Sequence, residues 1–420
     1  MDMRHVLYKI LYHKYDRYYF DDTKTSLVSG YKDLFDRGKM FDDLIKLNKS
    51  DVKEYRKVFG TGKNKIQDFD DVLNILLKCE LRRGHEDFDT YYQKLLDKLS
   101  ELTLNRKNED ICKRYIYVFN TRGLFRATCI LREKYMTYVL EKGKMHQKFS
   151  VYIENGDYDK AKRLIDDSLF FRLIKVLKSH EYETYANCIG MFENELNYEN
   201  ENDQLFKSII KNRRIVIIGP SDNKDETKIT QKDIVIQYAF MGKKLEKNND
   251  LKLDLSYYNG RYGTKLAELE DDSFLGELQM LVFKYEENNP YRKQKYKQKR
   301  ARRARWSHRI MCLGSPNMLQ ITLTDLLLMG AKDIYVTDNN LYLNNNYNKN
   351  YISNATIANM DDYTKRMQFA QHDIIGNFQY LKALYEKGYF KCDDVLKRIM
   401  NLSSMEYAYE MEVQNGCLRR

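Results

Sequence analysis

Apolar residues follow a helical rhythm through the first half of this chain, and in the second half they gather into short runs with a strand rhythm. In Asp70–Leu81 (DDVLNILLKCEL) and Tyr91–Leu102 (YYQKLLDKLSEL) they recur at i, i+3, i+4 and i+7, which predicts amphipathic helices. Phe149–Phe170 predicts a helix, a turn at Asn155-Gly156-Asp157 and a second helix capped by that turn. It is like half of a tetratricopeptide unit, but no second copy follows at a fixed period, so a repeat array is not predicted. Near 197–203 (NYENEND) the composition turns polar and acidic, which places a boundary between a helical N-terminal domain, 1–205, and a second domain, 206–420.

Beyond the boundary the pattern changes. Ile215–Ile218 is four β-branched apolar residues in a row, closed by Gly219-Pro220-Ser221, as expected of a strand buried on both faces. Asp233–Ala239 and Leu253–Tyr258 predict two more strands, the latter closed by Asn259-Gly260, and Leu275–Tyr285 predicts a helix. The stretch 307–341 then holds a loop at Leu313-Gly314-Ser315-Pro316, a helix from Asn317 to about Met329 and a strand at Ile334–Thr337. Residues 339–353, rich in Asn and Tyr without periodicity, predict a mobile lid, and helices are expected at Thr364–Lys387, Cys392–Met400 and Ser404–Gln414. Strands spaced by helical stretches predict an α/β fold with a Rossmann-like, mostly parallel sheet, preceded by the all-α N-terminal domain. Ligands in such sheets collect beyond the carboxyl ends of the strands.

Composition sharpens this only in places. The chain carries 35 Tyr against one Trp, and only three Pro among 420 residues. Two of those prolines lie in the turns Gly219-Pro220-Ser221 and Ser315-Pro316-Asn317. The seven cysteines are scattered without a CxxC pair, the pattern of reduced thiols in a cytoplasmic protein. The opening MDMRHVLYKILYHKYDRYYF is broken by charge and reads as neither a signal peptide nor a membrane span, and no later apolar run is long enough to cross a bilayer. Of the net charge of +11, nine positive residues fall in 291–305 (YRKQKYKQKRARRAR) with no acid among them, so the remainder is close to neutral. That run predicts an anionic partner, such as a membrane surface, a charged glycan or nucleic acid, against the alternative of a solvated face. Aromatic interleaving of the kind a nucleic-acid platform uses is weak there.

The chemistry-bearing candidates sit at the ends of these predicted elements. Gly219-Pro220-Ser221 would offer backbone N–H groups and a hydroxyl to a phosphate or ribose; a plain strand-ending turn is the alternative. Ser315-Pro316-Asn317 opens a helix whose N-terminus favours an anion, with ordinary N-capping as the alternative. His372-Asp373 supplies an imidazole, the side chain suited to take a proton from a hydroxyl near neutral pH, although a lone histidine is often structural. No HxH, HExxH or carboxylate-histidine cluster suggests a metal, and neither a GxSxG nor a Cys-His nucleophile signature is present.

Taken in order, Arg214–Ser221 with Asp233–Ala239, then Gly314–Tyr342, then His372-Asp373, resemble the motifs of bacterial and animal sialyltransferases over about 170 residues. The resemblance implies a variant glycosyltransferase sheet, a CMP-activated sugar as donor, no metal cofactor, and His372 with Asp373 as the catalytic pair. It implies a nucleotide held by Gly219, Pro220, Ser221, Gln237, Tyr257, Asn259, Ser315, Pro316, Asn317 and Tyr342, with Tyr257 or Tyr342 supporting the leaving phosphate. Departures from the family pattern are Ile218 directly before Gly219, Gln237-Tyr238 where an Asn usually ends the second strand, and Asn377 in place of a Glu after the HD pair. They leave the sugar open, whether sialic-acid-like, another 2-keto sugar or another cytidylyl-activated group. The expected acceptor is a glycan or glycolipid, met by a cytoplasmic enzyme that rests on an anionic membrane through 291–305. A different class, a nucleic-acid-binding or regulatory protein using the basic run, stays beside it.

Overall fold

The computed structural model describes residues 24–47, 52–59, 67–168, 185–188, 190, 200–223, 229–244, 252–284, 300–344 and 362–418. Helices come first: α1 (Lys24–Lys46), α2 (Val52–Phe59), α3 (Gln67–Leu81), α4 (Phe88–Glu101), α5 (Glu109–Arg122), α6 (Phe125–Lys142), α7 (Met145–Glu154) and α8 (Tyr158–Asp166). The predicted turn between α7 and α8 is present, with Gly156 at φ +74°, a left-handed conformation that suits glycine. Asp157 stands at the N-terminus of α8 but makes no side-chain cap there, and its carboxylate pairs with Lys160 at 3.0 Å instead.

Next, α9 (Glu201–Ile210) starts with a capping box in which Asn200 accepts from the Asp203 N–H. Seven strands follow: β1 (Arg214–Ile218), β2 (Ile234–Tyr238), β3 (Leu255–Tyr258), β4 (Met280–Phe283), β5 (Ala301–Arg303), β6 (Asp333–Thr337) and β7 (Lys391–Cys392). Between them lie α10 (Gly260–Glu268), α11 (Met318–Leu328), α12 (Asp362–His372) and α13 (Ile374–Glu386), and after β7 come α14 (Asp394–Met400) and α15 (Ser404–Asn415). All seven strands are parallel, in the order β5-β4-β3-β2-β1-β6-β7. The chain runs outward from β1 to β5, then returns through α11 to β6 on the other flank of β1. That reversal makes the β1/β6 edge the topological switch point of a Rossmann-like α/β fold.

Three elements differ from the sequence expectation. The helix predicted at Leu275–Tyr285 is a 3-10 turn, Ser273–Glu277, followed by β4. Its apolar run Met280–Val282 is fully buried, and periodicity cannot tell a buried strand from a buried helix over so short a span. The single helix predicted at Thr364–Lys387 breaks at Asp373, which adopts φ +46° between α12 and α13. Cys392 ends a strand rather than starting a helix, because Asp393 caps α14 through Leu396 N at 2.7 Å. In the predicted lid, Asn339 and Asn340 turn the chain by accepting from the N–H groups of Leu341 and Tyr342, both at 3.1 Å. Tyr407 on α15 then pins that turn by donating to the Leu341 carbonyl at 2.8 Å. Residues 345–353 of that stretch, 197–199 of the acidic boundary and 291–299 of the basic run lie outside the described residues.

The sheet is covered unequally. Ile215, Ile217, Ile236, Leu255, Val282 and Val336 point into one large core with α11 and α13. Phe125, Cys129, Phe149 and Ile153 from α6 and α7 enter the same core, while Val216, Ile218 and Val235 face a smaller one with Phe240 and Leu253. Each fully buried branched side chain contributes about 1.5–3 kcal/mol. Packing is continuous across residue 205: α12 lies along α5, and α15 lies along α6. Among the described residues no helix is long and apolar enough to cross a membrane.

Candidate functional site

At the switch point, Gly219 follows β1 and donates its N–H to the Thr337 carbonyl at 2.8 Å, while Ser221 N donates to the Asp338 carbonyl at 2.9 Å. A Cβ at Gly219 would collide with that same Asp338 carbonyl, so glycine is required here for β1 and β6 to close on each other. The N–H groups expected to cradle a phosphate are thus engaged with β6. Asp393 completes the closure, accepting from Asp338 N at 2.8 Å and from Thr337 Oγ1 and Asn223 Nδ2 at 3.3 Å each. The turn's Ser221 hydroxyl is buried and makes no hydrogen bond among the described residues.

The second assembly forms around His372, the last residue of α12. Its Nδ1 lies 3.1 Å from the Ser315 carbonyl oxygen and 3.1 Å from Ser315 Oγ. The carbonyl can only accept, so Nδ1 carries the proton and the lone pair resides on Nε2. Two backbone features make this approach close enough. Asp373 takes its left-handed conformation directly after His372, and Gly314 (φ +66°) packs on it so tightly that a Cβ would fall 2.6 Å from Asp373 Cβ. Asn377, one turn into α13, then ties the pieces together. Its Nδ2 donates to the carbonyls of His372, Ser315 (3.2 Å) and Asp373 (3.3 Å), and its Oδ1 accepts from Asn317 N at 2.8 Å.

Lys284, immediately after β4, enters the same corner. It is only 6% exposed; its Nζ reaches the Pro316 carbonyl at 3.4 Å and stands 5.1 Å from the centre of the Trp306 ring. Trp306 is itself anchored through Nε1 to the Lys284 carbonyl at 2.9 Å. Burial pushes the lysine amine down to about 8. Burial, and next the positive charge of Lys284, push the His372 imidazole down to about 4, against a smaller upward pull from the Ser315 carbonyl. At neutral pH His372 is therefore an uncharged base beside a cation.

The residues singled out from sequence divide sharply. Ser315, Pro316, Asn317 and His372 come together; Asn317 stands at the N-terminus of α11 without capping it by its side chain. Asp373 does not join them as a catalytic partner: its Oδ2 accepts from Arg132 Nε on α6 at 2.8 Å, in a buried cluster where Arg132 also pairs with Glu154. Glu154 Oε2 in turn accepts from Cys312 N at 2.8 Å, so α6 and α7 hold both sides of the histidine corner. Burial raises the carboxyl groups of Asp373 and Glu154, and Arg132 opposes the rise.

Tyr257 is likewise structural. Its hydroxyl donates to Asp325 Oδ2 at 2.7 Å in the core, which corrects its expected contact with a leaving phosphate. Gln237 is buried in β2 and binds the Lys243 carbonyl at 3.1 Å, and Asn259 caps α10 by accepting from Tyr262 N at 2.9 Å. Tyr342 (φ +68°) packs edge-on against Phe369, 5.2 Å between ring centres, and is not part of the histidine corner. Of the basic run only 300–305 is described, and two of its arginines are paired with acids. Arg302 bonds Asp325 at 2.6 and 2.9 Å and Asp203 at 2.9 Å, and Arg305 bonds Asp203 at 2.7 Å. Both guanidiniums are paired inside the protein, Arg302 from β5 and Arg305 from the segment just after it.

Lys284, Trp306 and Arg132 were missed from sequence, and Asn377 was noted only as a departure from the family pattern. Only Lys284 carried a signal, as the polar residue ending a four-residue apolar run, and the helical reading of 275–285 hid it. Fold and site together define an α/β protein with a Rossmann-like parallel sheet and a histidine-lysine corner beside its carboxyl edge. Comparison with family models, curated proteins and solved structures finds no match to this chain.

Proposed function

We propose that the protein is a glycosyltransferase that moves a sialic-acid-like or other 2-keto sugar from a CMP-activated donor to a glycan or glycolipid acceptor, by metal-independent inverting displacement. The observation that carries this reading is the fixed tautomer of His372. With Nδ1–H held by the Ser315 carbonyl, Nε2 presents a lone pair at neutral pH. The acceptor hydroxyl gives its proton to Nε2 as its oxygen attacks the anomeric carbon, and the nucleotide phosphate departs with the bonding electrons. A phosphate is already a good leaving group, so the protein's part is to place the reactants and stabilise charge. The donor's negative charge also lifts the His372 imidazole from its depressed value, so basicity rises when substrate is present. The reading includes a cytoplasmic enzyme working against an anionic membrane face.

The test uses the full chain with cytidine, CMP, CDP, UDP and GDP in a thermal-shift assay, with and without magnesium, and CMP release from CMP-activated sialic acid. A ligand at about 100 times its Kd adds roughly 2.7 kcal/mol of stability. Stabilisation by cytidine nucleotides alone, with CMP release falling about 10²–10⁴-fold in His372→Ala at unchanged Tm, is the expected result. Equal response to every nucleotide, or full turnover in His372→Ala, overturns the reading.

A further inference from the structure

The buried cluster behind the histidine corner sets two acids against one cation. Arg132 on α6, Glu154 on α7 and Asp373 between α12 and α13 each have at most 3% of the side chain exposed. With both acids ionised, one negative charge would stand uncompensated in the core, a costly state. Four carboxyl oxygens are offered, and the donors that meet them are unequally shared. Glu154 accepts on both of its oxygens, from Arg132 at Oε1 and from the Cys312 N–H at Oε2, as an ionised carboxylate does. Asp373 accepts from Arg132 Nε at Oδ2, while its buried Oδ1 has no hydrogen-bond partner among the described residues. A bare oxygen costs more on a charged carboxylate than on a neutral acid, so Oδ1 is where a retained proton costs least. The Arg132 Nη1 goes to the neutral Gln379 Oε1 and Met136 Sδ, so one ionised acid balances the guanidinium.

We propose that Asp373 is a positioning residue that works as a neutral acid, keeping a proton on Oδ1 at neutral pH beside the Arg132–Glu154 ion pair. Its contact with Arg132 holds the left-handed turn that sets His372 on the Ser315 carbonyl. The consequence for catalysis rests on the transferase reading above, whereas the protonation does not. Arg132 reaches both sides of the His372–Ser315 contact: one through Asp373, the other through Glu154 and the Cys312 N–H just before Gly314. A Cβ at Gly376 would collide with the guanidinium and with Asp373 Oδ2, so α13 carries a glycine where the cation enters. The other titratable groups facing this carboxyl are Cys129 on α6, Cys312, and His372 next to it in the chain. Burial pushes both thiols up, Cys129 to about 12, and the imidazole down to about 4, so all three are uncharged at neutral pH. Burial raises Asp373 from its usual 3.8, with Arg132 and then the Gly376 N–H opposing the rise. The retained proton belongs to the acid pair, and the donor pattern places it on Asp373.

The experiment compares the full chain with Asp373→Asn, Asp373→Ala, Glu154→Gln and the Asp373→Asn/Glu154→Gln double variant. Infrared spectra with isotope-labelled aspartate should show a protonated-acid carbonyl band at pH 7 that is absent from Asp373→Asn. Asparagine keeps an acceptor for Arg132 and tolerates the left-handed turn. Asp373→Asn should therefore keep the fold and the His372 Nδ1–H tautomer, read by imidazole nitrogen NMR, while Asp373→Ala loses that single tautomer. Glu154→Gln should abolish the infrared band, because Asp373 must then ionise to balance Arg132. The double variant leaves Arg132 unbalanced and should lose more Tm than the two single variants together. Asp373→Asn should also melt above wild type at pH 7, by a margin that shrinks as pH falls toward 3.8, where folded and unfolded chains both hold the proton. Absence of the band at pH 7, or an Asp373→Asn chain that unfolds or loses the tautomer, overturns the inference. An unchanged tautomer in Asp373→Ala overturns the positioning role. If Asp373→Ala fails to fold, the wild-type band and Asp373→Asn decide the question. No readout uses a nucleotide, so failure of the transferase reading is seen separately, in the CMP assays.

Discussion

Two buried cations under one sheet edge, Arg302 and Lys284, have opposite surroundings. Arg302 on β5 bonds Asp203 and Asp325, and Tyr257 adds its hydroxyl to Asp325. Charge and hydrogen bonds balance there, so the cluster joins α9, β3, β5 and α11 as scaffold. Lys284, at the end of the neighbouring strand, is seen against a carbonyl and an indole face, next to an imidazole it repels. A buried charge balanced by carboxylates positions elements, whereas one placed beside an imidazole lowers that imidazole's affinity for a proton. Sequence composition counts the two alike, as Lys and Arg of a basic protein.

The comparison can be broken at three points. The largest effect belongs to Arg302→Met, which leaves the buried Asp325 without its cation while Asp203 keeps Arg305, and should cost about 3–5 kcal/mol in urea unfolding. A cost near zero would mean that the cluster holds nothing together. Lys284→Met should do the reverse and raise stability by about 1–3 kcal/mol at pH 7, since the variant keeps the apolar stem and removes a desolvated charge. The sign follows from the amine's depression from 10.5 to about 8 in the folded protein. The unfolded chain binds the proton more tightly, so the wild-type penalty is full below pH 8 and relieved as pH rises to 10.5. The gain measured for the variant should therefore shrink across that window, and a constant difference from pH 7 to 10.5 would contradict it. Smallest is Tyr257→Phe, which removes one hydrogen bond to Asp325 and should cost about 1–2 kcal/mol without altering CMP affinity. Weaker CMP binding in that variant would return Tyr257 to the ligand.

What was legible in the sequence follows from how local each signal is. The β1, β2, β3 and β6 runs show as apolar β-branched or aromatic segments because burial on both faces dictates composition residue by residue. His372, Ser315 and Pro316 were visible because imidazole chemistry and proline-bearing turns are rare in this chain. Asp373 was misjudged for a physical reason. Adjacency in sequence puts it beside His372, but its left-handed backbone sends the carboxylate to Arg132, more than two hundred residues away in the chain. Tyr257 was misjudged likewise, since alternation along β3 places its side chain in the core, on the face shared with Leu255.

By itself, then, the sequence determined the helical first half, the parallel strands and the chemistry available at their ends, all properties of short segments and their hydrophobic period. The tertiary structure alone decided which charges meet. Arg302 with Asp203 and Asp325, Arg132 with Asp373 and Glu154, and Lys284 with His372 are pairings across distant segments, and the sign and partners of a buried charge are set by distances of a few ångströms that no local pattern encodes.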